Sequence, residues 1–512
     1  MLVKTFSSAV NGIEAETITI EVDISRGVRF FLVGLPDNAV KESQQRIESA
    51  FRTLGYHWPG KQIVINMAPA DIRKEGSTYD LPLAIGILAA DGKIISDPLD
   101  KYVIVGELSL YGSLNPVKGV LPIVLKARAD GFKGIILPSG NAREAAVVSD
   151  IEVYGMDNLK DVVDFLNGSR QFDTTKIDLD AIFNENTNRY DVDFSDVKGQ
   201  ENVKRALEVA AAGHHNLIMI GSPGSGKTML AKRLSTIMPP LTLDEAVETT
   251  KIHSVAGKIE SQMSLMTHRP FRSPHHTISN IALVGGGTYP QPGEISLAHN
   301  GVLFLDELPE FQRSVLEVMR QPLEDRVITI SRAKNTVDYP ASFMLIASMN
   351  PCPCGYHNHP DRECFCAPNM IQKYLNKISG PLLDRIDIHI EVVPVKYDKL
   401  ATTIKAESSS TIRERVVKAR KIQEERFKNY NGIHSNAQMT SLMIRRFCEL
   451  DAESGKLLKM AMEYRGLSAR AYDRILKVSR TIADLAGSES VSAEHISEAI
   501  NYRNLDRENW GS

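Results

Sequence analysis

The stretch Leu217–Lys232, LIMIGSPGSGKTMLAK, limits the possible folds of this chain more than any other. Leu217 to Ile220 are four apolar residues, which predict a short buried strand. They run into Gly221, Ser222, Pro223, Gly224, Ser225, Gly226, Lys227 and Thr228, and from Met229 onward the sequence has helical character. G-x-x-x-x-G-K-[ST] between a strand and a helix predicts a loop whose backbone N–H groups converge on phosphate, aided by the positive end of the helix. Its glycines remove the Cβ atoms that would block that approach. Lys227 is placed to reach the β- and γ-phosphates of a nucleoside triphosphate, and Thr228 to offer a hydroxyl to Mg²⁺. An acidic partner follows in Gly301–Glu307, GVLFLDE, an apolar strand ending in two carboxylates. There Asp306 orients the Mg²⁺ shell and Glu307 polarises the attacking water. A third apolar strand, within Phe343–Asn350, ends at Asn350, whose amide suits holding a lytic water or the γ-phosphate.

Bulk properties narrow the setting. A chain of 512 residues is expected to hold about three domains of ordinary size. Its net charge of −3 gives no global attraction to nucleic acid, so any DNA contact must come from local basic clusters. Five cysteines in such a length are not a secreted disulfide framework. Met1–Ile24 alternates like strands and lacks the pattern of a signal peptide. The longest apolar stretch, Leu81–Ala90, is interrupted by Pro82 and Gly86 and is too short to span a bilayer. These features predict a cytoplasmic protein without a membrane partner.

Residues 1–165 alternate strand and helix patterns. Strands are expected at Thr17–Val22, Phe30–Val33, Ile63–Asn66, Val103–Val105, Leu108–Leu110 and Gly134–Leu137. Helices are expected at Asn38–Leu54, Leu81–Ala90 and Leu121–Asp130. Residues 166–190 turn polar and lose periodicity, which reads as a linker. Residues 191–396 hold the phosphate loop and its partners, and 397–512 are helix-like. Thr411–Asn429 mixes basic and acidic residues, as a solvated helix face does. Cys352 and Cys354, with Cys364 and Cys366, form two C-x-C pairs around a loop with Gly355, His357 and His359. The set fits a tetrahedral S₄ zinc site, though the spacing is not the common C-x₂-C, so free thiols and a redox role stay open. A metal there would brace the edge of the phosphate site, since the loop directly follows Asn350. Cys448 reads as core, and His275 and His276 as buried histidines with ordinary hydrogen bonds rather than ligands.

Several long motifs carry a resemblance to known families. Asn66–Gly76, Gly106–Gly112 and Ile136–Pro138 resemble the proteolytic domain of Lon, an α/β domain with a Ser–Lys dyad. That resemblance places Thr78 at the nucleophile and Leu121 at the lysine; leucine cannot activate a hydroxyl, so a non-proteolytic scaffold is implied. Residues 191–396 resemble an AAA+ core, an αβα P-loop domain. By that resemblance Asp193–Gln200 packs on adenine, Asn350 is a sensor, and Arg385 in Gly380–Asp387 is an arginine finger acting in trans. Its alternative is an ordinary ion pair with Asp384 or Asp387. Arg269–Thr277 and Gly285–His299 then mark the chain as similar to the YifB/ComM family, often described as magnesium-chelatase-like.

The resemblance implies an insert in the second core helix near Ile278–Gly293 and a hairpin near Ser331–Tyr339. Arg332 and Lys334 fall at the hairpin tip, facing a ring pore and DNA phosphates, or else on a solvated turn. It also implies a helical lid whose Arg470 is a second sensor. The expected whole is an α/β multidomain protein: Lon-like domain, AAA+ core with helix-2 insert, helical lid. Its implied activity is that of an ATP- and Mg²⁺-dependent homo-hexameric motor, a DNA helicase of branch migration in recombination or natural transformation. A chelatase-type motor that remodels a protein partner is the alternative.

Overall fold

The computed structural model describes residues 2–186, 190–260, 263–287, 290–331, 336–359, 361–395 and 406–503. The chain is a mixed α/β protein with a helical C-terminal region, built on two separate sheets.

The first sheet uses β1 (Leu2–Asn11), β2 (Glu14–Ser25), β3 (Phe30–Val33), β4 (Gln62–Ala68) and β5 (Tyr102–Ile104). A short ribbon of β6 (Glu107–Leu108) and β7 (Leu114–Asn115) leads on to β8 (Gly134–Pro138) and β9 (Glu152–Met156). Sheet order is β3-β4-β2-β1-β5-β8-β9, antiparallel where β2 pairs with β4 and β1, and parallel in the other pairs. In β2 the alternation sends Ile18, Ile20 and Val22 into the core, all fully buried. The helix Asn38–Leu54 starts where Asp37 accepts the Val40 amide at 2.8 Å and stops at Gly55, φ 80°. Helix Asp80–Ala90 is buried all round. Its Gly86 permits that, because a Cβ there would lie 2.7 Å from Val22 Cγ2.

The second sheet is wholly parallel. It runs β11 (Phe271–Arg272), β14 (Val302–Leu305), β17 (Met344–Met349), β10 (Leu217–Ile220) and β18 (Ile388–Glu391), in that spatial order. Strands β10, β14 and β17 are apolar on both faces because both faces are covered. Two ribbons project from this layer, β12 (Gly285–Gly286) with β13 (Gln291–Pro292), and β15 (Val327–Ser331) with β16 (Thr336–Pro340). The first ribbon lies within residues 278–293. One apolar cluster joins β10, the helix Glu201–Gly213 and the C-terminal helices Ser409–Phe427 and Ala469–Leu485.

The two sheets meet through the helix Leu243–Val255. Ser254 donates to Glu144 at 2.5 Å, and Lys251 pairs with Glu14 at 2.7 Å. Gly12, in the β1–β2 turn, lies against the second ribbon, where a Cβ would come within 2.6 Å of Val337.

Three sequence expectations need correction. The strand expected at Leu108–Leu110 is only Glu107–Leu108, and the chain turns at Ser109 to pair with β7. The polar stretch 166–190 carries a helix, Leu179–Asn186, whose Leu179 and Phe183 pack on an apolar cluster. The basic helix is not simply a solvated face. Arg415 pairs with Glu208 at 2.5 Å, Arg420 donates to the Ala211 carbonyl, and Arg426 pairs with the fully buried Asp484 at 2.5 Å. These arginines are inward staples whose charge serves packing. Arg426→Met is expected to cost about 2 kcal/mol, because Arg480 and Asn436 still satisfy Asp484, while Lys418→Met on the exposed face stays within about 0.5 kcal/mol. Urea unfolding of the two variants measures the difference.

Candidate active site

Strands β14, β17 and β10 lie side by side and parallel, so their carboxyl ends deliver Asp306, Asn350 and the loop after Ile220 to one crevice. The Gly221 amide donates to the Met349 carbonyl at 3.2 Å. A Cβ on Gly221 would meet the Val392 carbonyl at 2.3 Å, and Gly224 and Gly226 take φ of 75° and 93°. The loop therefore needs glycine at these positions. Ser222 and Ser225 hold buried hydroxyls without a protein partner, and Pro223 lies between them at the loop's outer curve. Lys227 is 9% exposed, with Nζ donating to the carbonyls of Gly221 (2.7 Å) and Ser222 (3.0 Å) and to Asn350 Oδ1 (3.2 Å). Burial pushes its pKa down, against the pull of Asp306 and Glu307. A glycine cradle at a helix N-terminus, orphaned hydroxyls and a buried ammonium fit a triphosphate.

Thr228 donates to Asp306 Oδ2 at 2.7 Å, and Ser348 donates to Oδ1 of the same carboxylate. The Thr228 hydroxyl and the Asp306 carboxylate are hard oxygen donors of the kind Mg²⁺ accepts. The Glu307 amide closes on Asp306 Oδ1 at 3.1 Å, and Glu307 itself sits at φ 54°, left-handed for a residue with a side chain. Its carboxylate is 57% exposed and lies 3.8 Å from Nδ1 of His276. The histidines are thus not buried: His275 is exposed, His276 is half-buried, and the two rings lie 4.1 Å apart. Ser348 and His276 are site residues that sequence reading missed. Ser348 had a faint signal as the one hydroxyl in an apolar strand.

Arg385 is buried. Its Nη2 pairs with Glu324 at 2.5 Å and its Nη1 donates to the Pro381 carbonyl at 2.6 Å. Neither expected acid is its partner. Asp384 lies 3.7 Å from Arg470, and Asp387 takes Arg474 at 2.7 Å and His215 at 3.4 Å. Burial would raise the Asp387 pKa, but Arg474 and His215 outweigh it and hold it below the usual carboxylate range. Arg470 stands 61% exposed at the start of the helix Ala469–Leu485, and Arg474 is one turn on, on the same face. The segment Asp193–Gln200 wedges between the loop helix and the C-terminal helix Ser409–Phe427: Arg233 pairs with Asp196 at 2.9 Å, and Asp193 accepts the Ser409 amide at 3.2 Å. Arg332 and Lys334 lie outside the described residues.

Two residues past Asn350, the four thiols converge. Cys352, Cys354, Cys364 and Cys366 place their sulfurs within 4.8 Å of one another. Cys352 lies 3.3 Å from Cys354 and 3.7 Å from Cys364, and Cys354 lies 3.6 Å from Cys364. A tetrahedron of ~2.3 Å Zn–S bonds has edges of about 3.8 Å, so the set can hold a structural metal. Gly355, at φ 84°, presses on the phosphate loop, where a Cβ would meet Pro223 Cδ at 2.4 Å. Cys448 is core, as expected, and burial raises its thiol pKa to about 12. In the first sheet's domain Leu121 is fully buried in an apolar cluster, and Lys74 gives its buried ammonium to the carbonyls of Pro69 and Ile72.

Residues 193–400 match the family described as magnesium chelatase, subunit ChlI. Residues 20–141 match subunit ChlI of Mg-chelatase, and 406–503 match its C-terminal part. With the phosphate loop, these matches define an ATPase of the magnesium-chelatase-like AAA+ class, which uses ATP and Mg²⁺. The chain is 46% identical over 505 residues to competence protein ComM of Haemophilus influenzae, covering 98% of this chain and 97% of that one. To YifB of Escherichia coli it is 44% identical over 501 residues, 98% of this chain and 96% of the other. The chain belongs to the ComM/YifB family. A further 154-residue stretch is 32% identical to Lon protease 2 of Bacillus subtilis, covering 27% of this chain and 26% of that one. No described helix is long and apolar enough to cross a membrane.

The four-cysteine geometry generates a direct expectation. Purified chain is expected to carry close to one equivalent of tightly bound metal, and Cys352→Ser with Cys364→Ser is expected to lose it, as elemental analysis of the two preparations measures.

Proposed function

We propose that this ATPase is a homo-hexameric motor that works on single-stranded or branched DNA and drives branch migration. The full-length identity with a competence protein is the observation that carries this reading. The insert and the hairpin beside the ATP site support it, since the Tyr339 hydroxyl bonds the Pro290 carbonyl at 2.8 Å and makes them one unit. Arg332 and Lys334, which fall between β15 and β16 in the sequence, would grip phosphates without reading bases. The three magnesium-chelatase matches favour a second reading, a motor that remodels a protein partner.

In the hydrolytic step, Lys227 neutralises charge on the β- and γ-phosphates, and Thr228 and Asp306 are the residues that would hold Mg²⁺. Mg²⁺ held by these two residues would supply further neutralisation of phosphate charge. Water attacks the γ-phosphorus, Glu307 accepts its proton, Asn350 orients it, and ADP leaves. Arg385 of one subunit and Arg470 of the lid supply further positive charge to the transition state. Zn²⁺ held by the four cysteines would be structural, since a closed thiolate set leaves no open position for substrate.

Lys227→Ala is expected to abolish nucleotide binding. Glu307→Gln keeps binding and lowers kcat by about 100-fold or more. Titration with a fluorescent ATP analogue beside steady-state hydrolysis separates the two, and full hydrolysis by either variant would contradict the assignment. On a synthetic four-way DNA junction, ATP-dependent branch migration is the expected outcome. A junction left intact, with no DNA stimulation of hydrolysis, would transfer support to the partner-remodelling motor.

A further inference from the structure

We propose that His276 is a positioning residue for Glu307, held in place by the root of the insert; this rests on the reading of Glu307 as the group that takes the proton from water. The Glu307 backbone is fixed, with its amide on Asp306 and its carbonyl accepting the Glu310 amide at 2.8 Å. That fixation sustains the left-handed φ of 54°. The side chain is another matter. It is 57% exposed and carries several rotatable bonds, so nothing in its own backbone aims the carboxylate at a water.

The imidazole of His276 stands beside it. Nδ1 is 3.8 Å from Oε2, one small rotation short of a hydrogen bond. The imidazole is also supported. Its centroid is 4.1 Å from that of His275 and 6.4 Å, nearly edge-on, from that of Phe311. His275 in turn has Nδ1 2.9 Å from the Thr277 hydroxyl, and its carbonyl accepts the Ile278 amide at 3.0 Å. Ser279 then caps the helix Asn280–Val284, accepting the Ala282 amide at 3.2 Å. That helix runs directly into β12, whose Gly285 lies close enough to Ile330 that a Cβ would be 2.9 Å from it. A continuous set of contacts therefore joins the hairpin and insert to the carboxylate. A displacement of either ribbon is passed to Glu307 through His276 along these hydrogen bonds and ring contacts.

The test uses the full-length protein with Mg²⁺ and ATP. His276→Ala is expected to lower kcat roughly tenfold or more with ATP affinity unchanged, as misaimed catalytic groups do. His276→Asn, which keeps an N–H donor of similar reach, is expected to recover most of the loss. If Glu307→Gln is inactive while His276→Ala stays within roughly twofold of the parent kcat, the role of His276 is overturned and that of Glu307 stands. An active Glu307→Gln instead overturns the reading of Glu307 itself. A loss in affinity that matches the loss in kcat, without rescue by asparagine, makes His276 a packing residue and also overturns the proposal.

Discussion

Asp306 is the point on which the site depends. It accepts from Thr228 on the phosphate-loop helix, from Ser348 on β17 and from the Glu307 amide on its own strand. Three elements from distant parts of the chain thereby share one carboxylate. Lys227 makes the matching connection from the other side, through Asn350 at the end of β17. Both contacts exist because β14, β17 and β10 are neighbours in a parallel sheet, which brings all their carboxyl ends to one edge. The sheet order is the true determinant of the chemistry. Moving any of those three strands would leave each motif intact in sequence and useless in space.

A second charge centre ties the lid to this sheet. Asp387, at the start of β18, is 1% exposed and accepts from Arg474 and the Asn216 amide, with His215 alongside. Arg474 belongs to the same helix as Arg470, one turn further in. A buried carboxylate of this kind is costly unless each of its partners stays in place. The helix that presents Arg470 is therefore anchored to the strand that follows Arg385. In the proposed motor, any rotation of these C-terminal helices would have to work against that anchor.

What could be read from the sequence follows a simple physical division. The phosphate loop, the carboxylates after β14 and the amide after β17 are legible because each is a local pattern: an apolar strand, then a polar terminus. The four cysteines are legible for the same reason, with ligands in close pairs. His276, Ser348, Glu324 and Arg474 are not, since each acquires its role only when distant segments meet. Arg426 shows the limit of composition most clearly. In a helix with alternating charges it reads as solvated, and it instead neutralises Asp484, which lies 58 residues away and is fully buried. Likewise the helix Leu179–Asn186 sits in a polar stretch where helical periodicity is faint, and packing of Leu179 and Phe183 sustains it.

The positions of the arginines bear on why one subunit would not suffice for the proposed motor. Among the described residues of a single chain, Lys227 is a cation bonded inside the phosphate crevice. Arg385 is turned to Glu324, a partner with 49% exposure, and Arg470 faces Asp384 from an open position. A γ-phosphate in transfer spreads negative charge over its oxygens and benefits from a second cation. In the proposed ring, Arg385 would exchange one carboxylate for the phosphate of a neighbour, and the half-exposed Glu324 would be left to water rather than stranded in an apolar interior. That exchange costs little because one of the two groups is already solvated. The Glu324–Arg385 pair thus suits an arginine that must be kept ordered when no neighbour is present and released when one arrives.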